Sequence, residues 1–207
     1  MKKIYLIRHG ESIHNYDLIH QPDETPLSEQ GRQQAGLAAD AFSGVPIDCI
    51  ISSPLERAYQ TATILGEKYN VQVTTEQLLV EVKVPSMLYG KPLNDPEVLA
   101  VRAIIKNNTQ NVDWHYSDEE NFHDRVNRVK KILFLLEELQ GEHIVVVTHS
   151  ALMITMLTFL IEGAETSSTL LQKVMSAFSI GNTGISTLRL KEKNWKVITW
   201  NDTKHLN

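Results

Sequence analysis

Short apolar runs and amphipathic stretches take turns along the chain. "KIYLI" near the N-terminus is too short for a helix and rich in β-formers, so it predicts a buried strand. After a polar loop comes "PLSEQGRQQAGLAADAF", where alanines favour helix and Ser28 suits an N-cap. "IDCIISS" predicts a second buried strand, running into the helical "PLERAYQTATILGEKY". Ser53 is placed to cap that helix and Pro54 to fill its first position. Further on, Phe122, Val126, Val129, Leu133 and Leu136 mark one face of a helix, with Gly141 as its C-terminal stop. "HIVVVT" is the clearest strand, and the apolar "SALMITMLTFLI" behind it predicts a helix. "VMSAFSI", "GISTLRL" and "WKVITW" read as closing strands, the last two joined by the turn "KEKN".

This alternation predicts an α/β three-layer sandwich: a mostly parallel central sheet, helices on both faces and an antiparallel edge. Residues 1–207 are read as one domain. Residues 82–121 do not fit a short crossover, because "DPEVLAVRAIIKN", a capped helix, sits there in polar, aromatic-bearing sequence. Connections of that length in compact domains are usually lids or binding elements, so a small helical lid insertion is expected.

Composition narrows the function classes. With 42% hydrophobic residues the chain has ample material for a core, and its net charge of −5 argues against nucleic acid as a partner. The single cysteine, Cys49, excludes an intramolecular disulfide and reads as a small core residue. The apolar run before Arg8 is too short for a signal-peptide core, and "ALMITMLTFLI" falls short of the roughly 20 residues of a membrane span. No membrane association is expected, and a cytoplasmic protein is the natural reading. Nothing in the chain speaks to its oligomeric state.

Three predicted strand ends carry related chemistry. Arg8 and His9 follow the first strand, Arg57 lies in the first turn after the second, and His149 and Ser150 follow "HIVVVT". In a parallel sheet these ends share one edge, where open α/β sheets place ligands. Two guanidiniums, two imidazoles and two helix N-termini make an anion site, with phosphate the obvious occupant. Taken singly, each of these residues is explained better by an ordinary polar position at a strand end, and their joint placement is what points to a site.

"LIRHGES" resembles the signature of the histidine phosphatase, or phosphoglycerate-mutase-like, superfamily. Asn15, Gln21, "PLSEQG", "SSPLERAYQTA" and "VVTHS" follow in the family's order. The resemblance implies a phosphatase that hydrolyses a small phosphorylated metabolite through a phosphohistidine on His9. It implies that Arg8, Arg57 and a protonated His149 neutralise the transferring group, as phosphoryl transfer requires. Asn15, Gln21 and the backbone N–H of Ser150 are implied as further phosphate donors. Glu11 is given a structural role, and Gly10 a close backbone approach. The residue matching the family's acid is Glu81, expected to be kept protonated by partial burial under the insertion. No metal and no cofactor is required.

The chain also departs from the family. Ser150 stands where glycine is common, and Pro22 replaces a glycine in the loop after Gln21. "VKVPSMLYGKPL" after Glu81 does not resemble the glycolytic mutases, which favours a phosphatase. A mutase stays the nearest alternative. A non-catalytic phosphate-binding protein is a second, disfavoured because a binding module has no need of the acid. A metal hydrolase using His14, His20, Asp17 and Asp23 is a third, but these lack paired-ligand spacing. In or near the insertion, Lys83, Lys91, Arg102 and Lys106 are candidates for a second anionic group. Tyr89, Trp114 and Tyr116 are candidates for stacking on a ring, although surface or lid packing explains each of these residues more simply.

Overall fold

The computed structural model describes the backbone of residues 1–207 and the side chains of all but Tyr16 and Ala164. Its centre is one six-stranded sheet of order β3-β2-β4-β1-β5-β6. The strands are β1 Lys2–Arg8, β2 Cys49–Ser52, β3 Val73–Thr75, β4 His143–Thr148, β5 Ile185–Lys191 and β6 Asn194–Asp202. Strands β3, β2, β4 and β1 pair in parallel, and β5 and β6 add the antiparallel edge.

The period of two along each strand divides the core into two layers. On β1, Ile4 and Leu6 enter one apolar cluster while Tyr5 and Ile7 enter the other. The first layer is covered by α5 (Phe122–Glu138), α6 (Ser150–Glu162) and α7 (Ser168–Ala177). The second lies under α2 (Glu29–Asp40) and α3 (Glu56–Tyr69), whose small Ala39, Ala58 and Ala62 bring these helices close to the sheet. The expected sandwich is thus the observed one. Cys49 is half-buried at the rim of the first layer.

Several boundaries differ from expectation. "VMSA" is the last turn of α7, which starts earlier behind the Ser167 cap. Leu171 and Val174 meet the core at helical spacing. The strand reading took a helix end and its extended exit as one run. Helix α3 begins at Glu56 after Leu55, so Pro54 precedes the helix and the Ser53 hydroxyl does not cap it. Helix α5 ends at Glu138, and Gly141 instead forms the turn into β4 at φ +106° against Asp48. The polar loop after β1 holds a short helix, α1 (Ile13–Tyr16), with a Ser12–Asn15 capping box. β3 has one half-buried and two exposed residues, too weak a pattern to show in the sequence. The β5–β6 turn is made as read, with Glu192 and Lys193 both at positive φ, as a two-residue hairpin loop demands.

Within residues 82–121 lies α4 (Pro96–Asn108), capped by Asp95. Leu88, Val98 and Val101 form a small apolar cluster of their own there. The segment is stitched to the loop after α1 by His20 N–H to Lys91 O at 3.0 Å and Gly90 N–H to His20 O at 2.8 Å. No helix is long and apolar enough to cross a membrane.

The "RHG" loop rests directly on the start of α2. A Cβ at Gly10 would collide with the carbonyl of Gly31, and a Cβ at Gly31 with the carbonyl of Glu11. The close approach expected of Gly10 is therefore to Gly31. Gly31→Ala is predicted to cost about 1–3 kcal/mol in denaturant unfolding, as overpacking does. A variant as stable as wild type would show that the contact yields.

Candidate active site

Because β1, β2 and β4 run parallel, their C-terminal ends lie together. Arg8 sits opposite Thr148, and Ser52 opposite Val147. His9 N–H continues the β1–β4 ladder to Thr148 O at 3.0 Å, and Ser53 N–H reaches Val147 O at 2.9 Å. The His9 and His149 rings lie with centroids 5.1 Å apart, tilted 57° to each other.

His9 is 3% exposed, and its Nδ1–H donates to the carbonyl of Gly10 at 2.7 Å. That bond leaves the Nε2 lone pair unprotonated in the neutral ring. Burial first, then the charges of Arg57 and Arg8, holds His9 well below its ordinary 6.5. The carbonyl of His9 is gripped by Asn182 Nδ2 at 3.1 Å.

Each arginine is tied to the fold by a main-chain carbonyl. Arg8 donates to Ile180 O at 2.6 Å, and the buried Arg57 donates to Pro22 O at 3.1 Å. Pro22 therefore supplies the acceptor that orients Arg57. Among the described residues neither guanidinium pairs with a carboxylate. The charge of Glu81 acts on both from a distance, and that of Asp23 on Arg57.

His149 is fully buried, with Nε2 2.8 Å from the Ser53 hydroxyl. Burial first, then the charges of His9, Arg57, Arg8 and Arg128, lowers His149 well below its ordinary 6.5, which opposes the protonation expected from the resemblance. A chain read for motifs does not show that, among the described residues, no carboxylate pairs with this imidazole. Ser53, assigned to a helix cap by its position, is instead its partner.

Glu81 is half-buried at the same edge. Its carboxylate accepts the N–H of Val82 at 2.7 Å, Ala151 at 3.2 Å and Leu152 at 3.1 Å. The last two open α6, so this side chain is anchored at a helix N-terminus. The N–H of Ser150 beside them has no acceptor among the described residues.

Asn15 and Gln21 are organised by Ser12. Asn15 Oδ1 accepts Ser12 N–H at 3.2 Å and Asn182 Nδ2 at 3.3 Å, while Gln21 Oε1 accepts the Ser12 hydroxyl at 2.9 Å. With both carbonyl ends occupied, the two NH2 groups are the ends left to donate. Glu11 takes the structural place expected, accepting the Ser28 hydroxyl at 2.7 Å. Thr61 accepts Gly10 N–H at 3.0 Å and donates to Arg57 O at 2.8 Å, binding the "RHG" and "SSPLERAYQTA" blocks together.

Sequence reasoning missed Ser12, Ser53 and the Gly181–Gly184 turn that carries Asn182. Thr183 N–H donates to Arg8 O at 3.0 Å from a backbone at φ +55°. "GNTG" is a turn signal, but its proximity to β1 follows from β5 pairing there.

The insertion residues divide. Lys83 pairs with Asp118 at 3.0 Å and Lys91 with Glu97, so both charges are spent locally. Arg102 is exposed and adds to the lowering of the half-buried His20. Lys106 is exposed on α4. Trp114 and Tyr116 pack edge-on with centroids 6.5 Å apart, whereas Tyr89 lies in the field of Arg57. Among the described residues no group of three or more His, Cys, Asp or Glu comes together, and His14 bonds Thr25 instead.

Residues 4–203 match the sequence profile of the histidine phosphatase superfamily, branch 1. The chain belongs to that family. Phosphoserine phosphatase 1 of Hydrogenobacter thermophilus is 29% identical over 214 aligned positions, covering 100% of this chain and 95% of the relative. The 2,3-bisphosphoglycerate-dependent phosphoglycerate mutase of Thermoplasma acidophilum is 42% identical over 84 residues, which is 40% of this chain and 42% of that one. Two solved structures of Entamoeba histolytica phosphoserine phosphatase superpose with TM-scores of 0.80 over 100% of both chains. One is a mutant with phosphoserine at 25% identity, the other a complex with 3-phosphoglyceric acid at 27%. Histidine phosphatases thus account for the fold and for the order of the motifs.

The two neutral imidazoles carry a pH signature. Folded His9 and His149 bind fewer protons than the unfolded chain, so their contribution is complete above about pH 6.5 and lost as the pH falls below it. In urea melts, wild type minus His149→Asn is predicted to lose stability between pH 7 and pH 5. A difference independent of pH would mean that folding leaves His149 unshifted, and one that grows on acidification would mean that His149 is protonated in the fold.

Proposed function

We propose that this chain is a metal-independent phosphomonoesterase working through a phosphohistidine on His9. The observation that carries the reading is the geometry of His9: a buried ring held below its ordinary 6.5, Nδ1–H tied to Gly10 O, in the field of the Arg57 and Arg8 guanidiniums. The Nε2 lone pair attacks phosphorus as the ester P–O bond breaks, and Glu81 gives its proton to the departing alkoxide. Water then attacks the phosphorus, Glu81 takes its proton, and the P–N bond breaks to restore neutral His9.

Arg8, Arg57 and the Asn15, Gln21 and Ser150 donors hold the phosphoryl oxygens. The incoming dianion supplies the counter-charge that His149 lacks, so His149 gains its proton on binding. Residues 82–121 act as a lid, with the Tyr89 side chain in the field of Arg57. The substrate class is a small phosphorylated metabolite. The relatives crystallised with phosphoserine and 3-phosphoglyceric acid support that class. A phosphatase is favoured over a mutase because the phosphatase relative aligns over the whole chain and the mutase over 40% of it. That shorter match carries the highest identity quoted above, which keeps a mutase as the second reading.

The test is phosphate release from a panel of phosphomonoesters in the presence of a chelator. His9→Ala is expected to lose about 10⁴-fold or more, as nucleophile removal does. Glu81→Gln is expected to lose about 10²-fold on alkyl phosphates and far less on a nitrophenyl ester. Product isomerised before phosphate appears would favour the mutase, and dependence on the chelator would sink the metal-free mechanism.

A further inference from the structure

Glu81 sits in a stretch without regular structure, between the 3-10 turn Gln77–Leu79 and the insertion. Main-chain carbonyls in such a stretch need donors from elsewhere. Thr148 supplies one, its hydroxyl reaching Leu79 O at 2.7 Å. The others come from one side chain. Arg128, on α5, donates through NH1 to Leu78 O at 3.0 Å and to Val80 O at 2.6 Å. Its NH2 pairs with the Glu120 carboxylate. That carboxylate accepts the N–H of Lys83 at 2.9 Å, and Glu120 N–H donates to Lys83 O at 3.1 Å.

The guanidinium therefore grips the chain one and three residues before Glu81 and, through Glu120, two residues after it. The Arg128 and Glu120 side chains are only 10% and 18% exposed, so solvent competes little for these bonds. A planar fork can serve two carbonyls and a carboxylate together, whereas an ammonium is a single point charge.

We propose that Arg128 is a positioning residue for the acid: it sets the backbone on both sides of Glu81 so that the carboxylate seats on the first turn of α6. Glu120 extends the grip to the start of the insertion, so the same clip joins the insertion's two ends. The proposal rests on the reading of Glu81 as the acid, but the seating can be observed without activity. The N–H groups of Ala151 and Leu152 have Glu81 as their acceptor, and their exchange with solvent reports whether the carboxylate is in place.

The experiment compares wild type, R128K, E81Q and the double variant on an alkyl phosphate and a nitrophenyl phosphate. It adds inhibition by inorganic phosphate and amide hydrogen exchange. R128K is expected to keep the phosphate inhibition constant and most nitrophenyl turnover. On the alkyl ester it should lose about 10²-fold in kcat, the scale of a misplaced catalytic group. Added to E81Q it should cost nothing further, and exchange at Ala151 and Leu152 should quicken relative to Met153. Equal losses on both esters, losses that multiply in the double variant, or unchanged exchange at both amides would overturn the proposal. If wild type hydrolyses no phosphomonoester, the phosphatase reading fails and the exchange data alone decide the positioning role. If R128K does not fold, E120Q, which weakens the clip from its other side, is read by the same measures.

Discussion

The bond from His9 Nδ1–H to the carbonyl of Gly10 is the interaction on which the rest of the site depends. It selects the tautomer, and the tautomer decides whether Nε2 has a lone pair to offer. Much of the surrounding structure holds that carbonyl and that ring in place. Gly10 and Gly31 let the loop and α2 meet backbone to backbone, Thr61 holds Gly10 N–H, and Asn182 holds the His9 carbonyl. Each restraint comes from a different part of the chain, which is why the site needs the whole sheet to exist.

Charge is the second organising constraint. Two guanidiniums are taken largely out of water with main-chain carbonyls for company. Burying unpaired charge is costly, and the surrounding groups respond by giving up protons. His9 and His149 are both driven neutral. In the proposed reaction a phosphoryl dianion offsets this charge and raises the proton affinity of His149.

How much of this was legible in the sequence follows the length scale of each feature. Buried strands such as "HIVVVT" and the Phe122–Leu136 face are set by local periodicity and were readable. The strand-end placement of Arg8, His9 and His149 followed from parallel topology alone. Asn15 and Gln21 entered through family resemblance, and their orientation depends on Ser12, whose role is tertiary. Ser53 was misread because its local position suits a cap while its actual partner, His149, is 96 residues away. The "VMSAFSI" error has a related cause: a short apolar run is ambiguous between helix end and strand until the preceding cap is recognised. The charge state of His149 was out of reach of the sequence, since it depends on what does not touch the ring.

In the proposed reaction His9 Nε2 becomes covalently phosphorylated. The most direct measurement is to mix the enzyme with a radiolabelled phosphomonoester, quench in alkali within one turnover, and map the labelled peptide. An acid-labile, alkali-stable label is expected on the peptide carrying His9 and absent from His9→Ala. Turnover with no such label, or label on another residue, would contradict it.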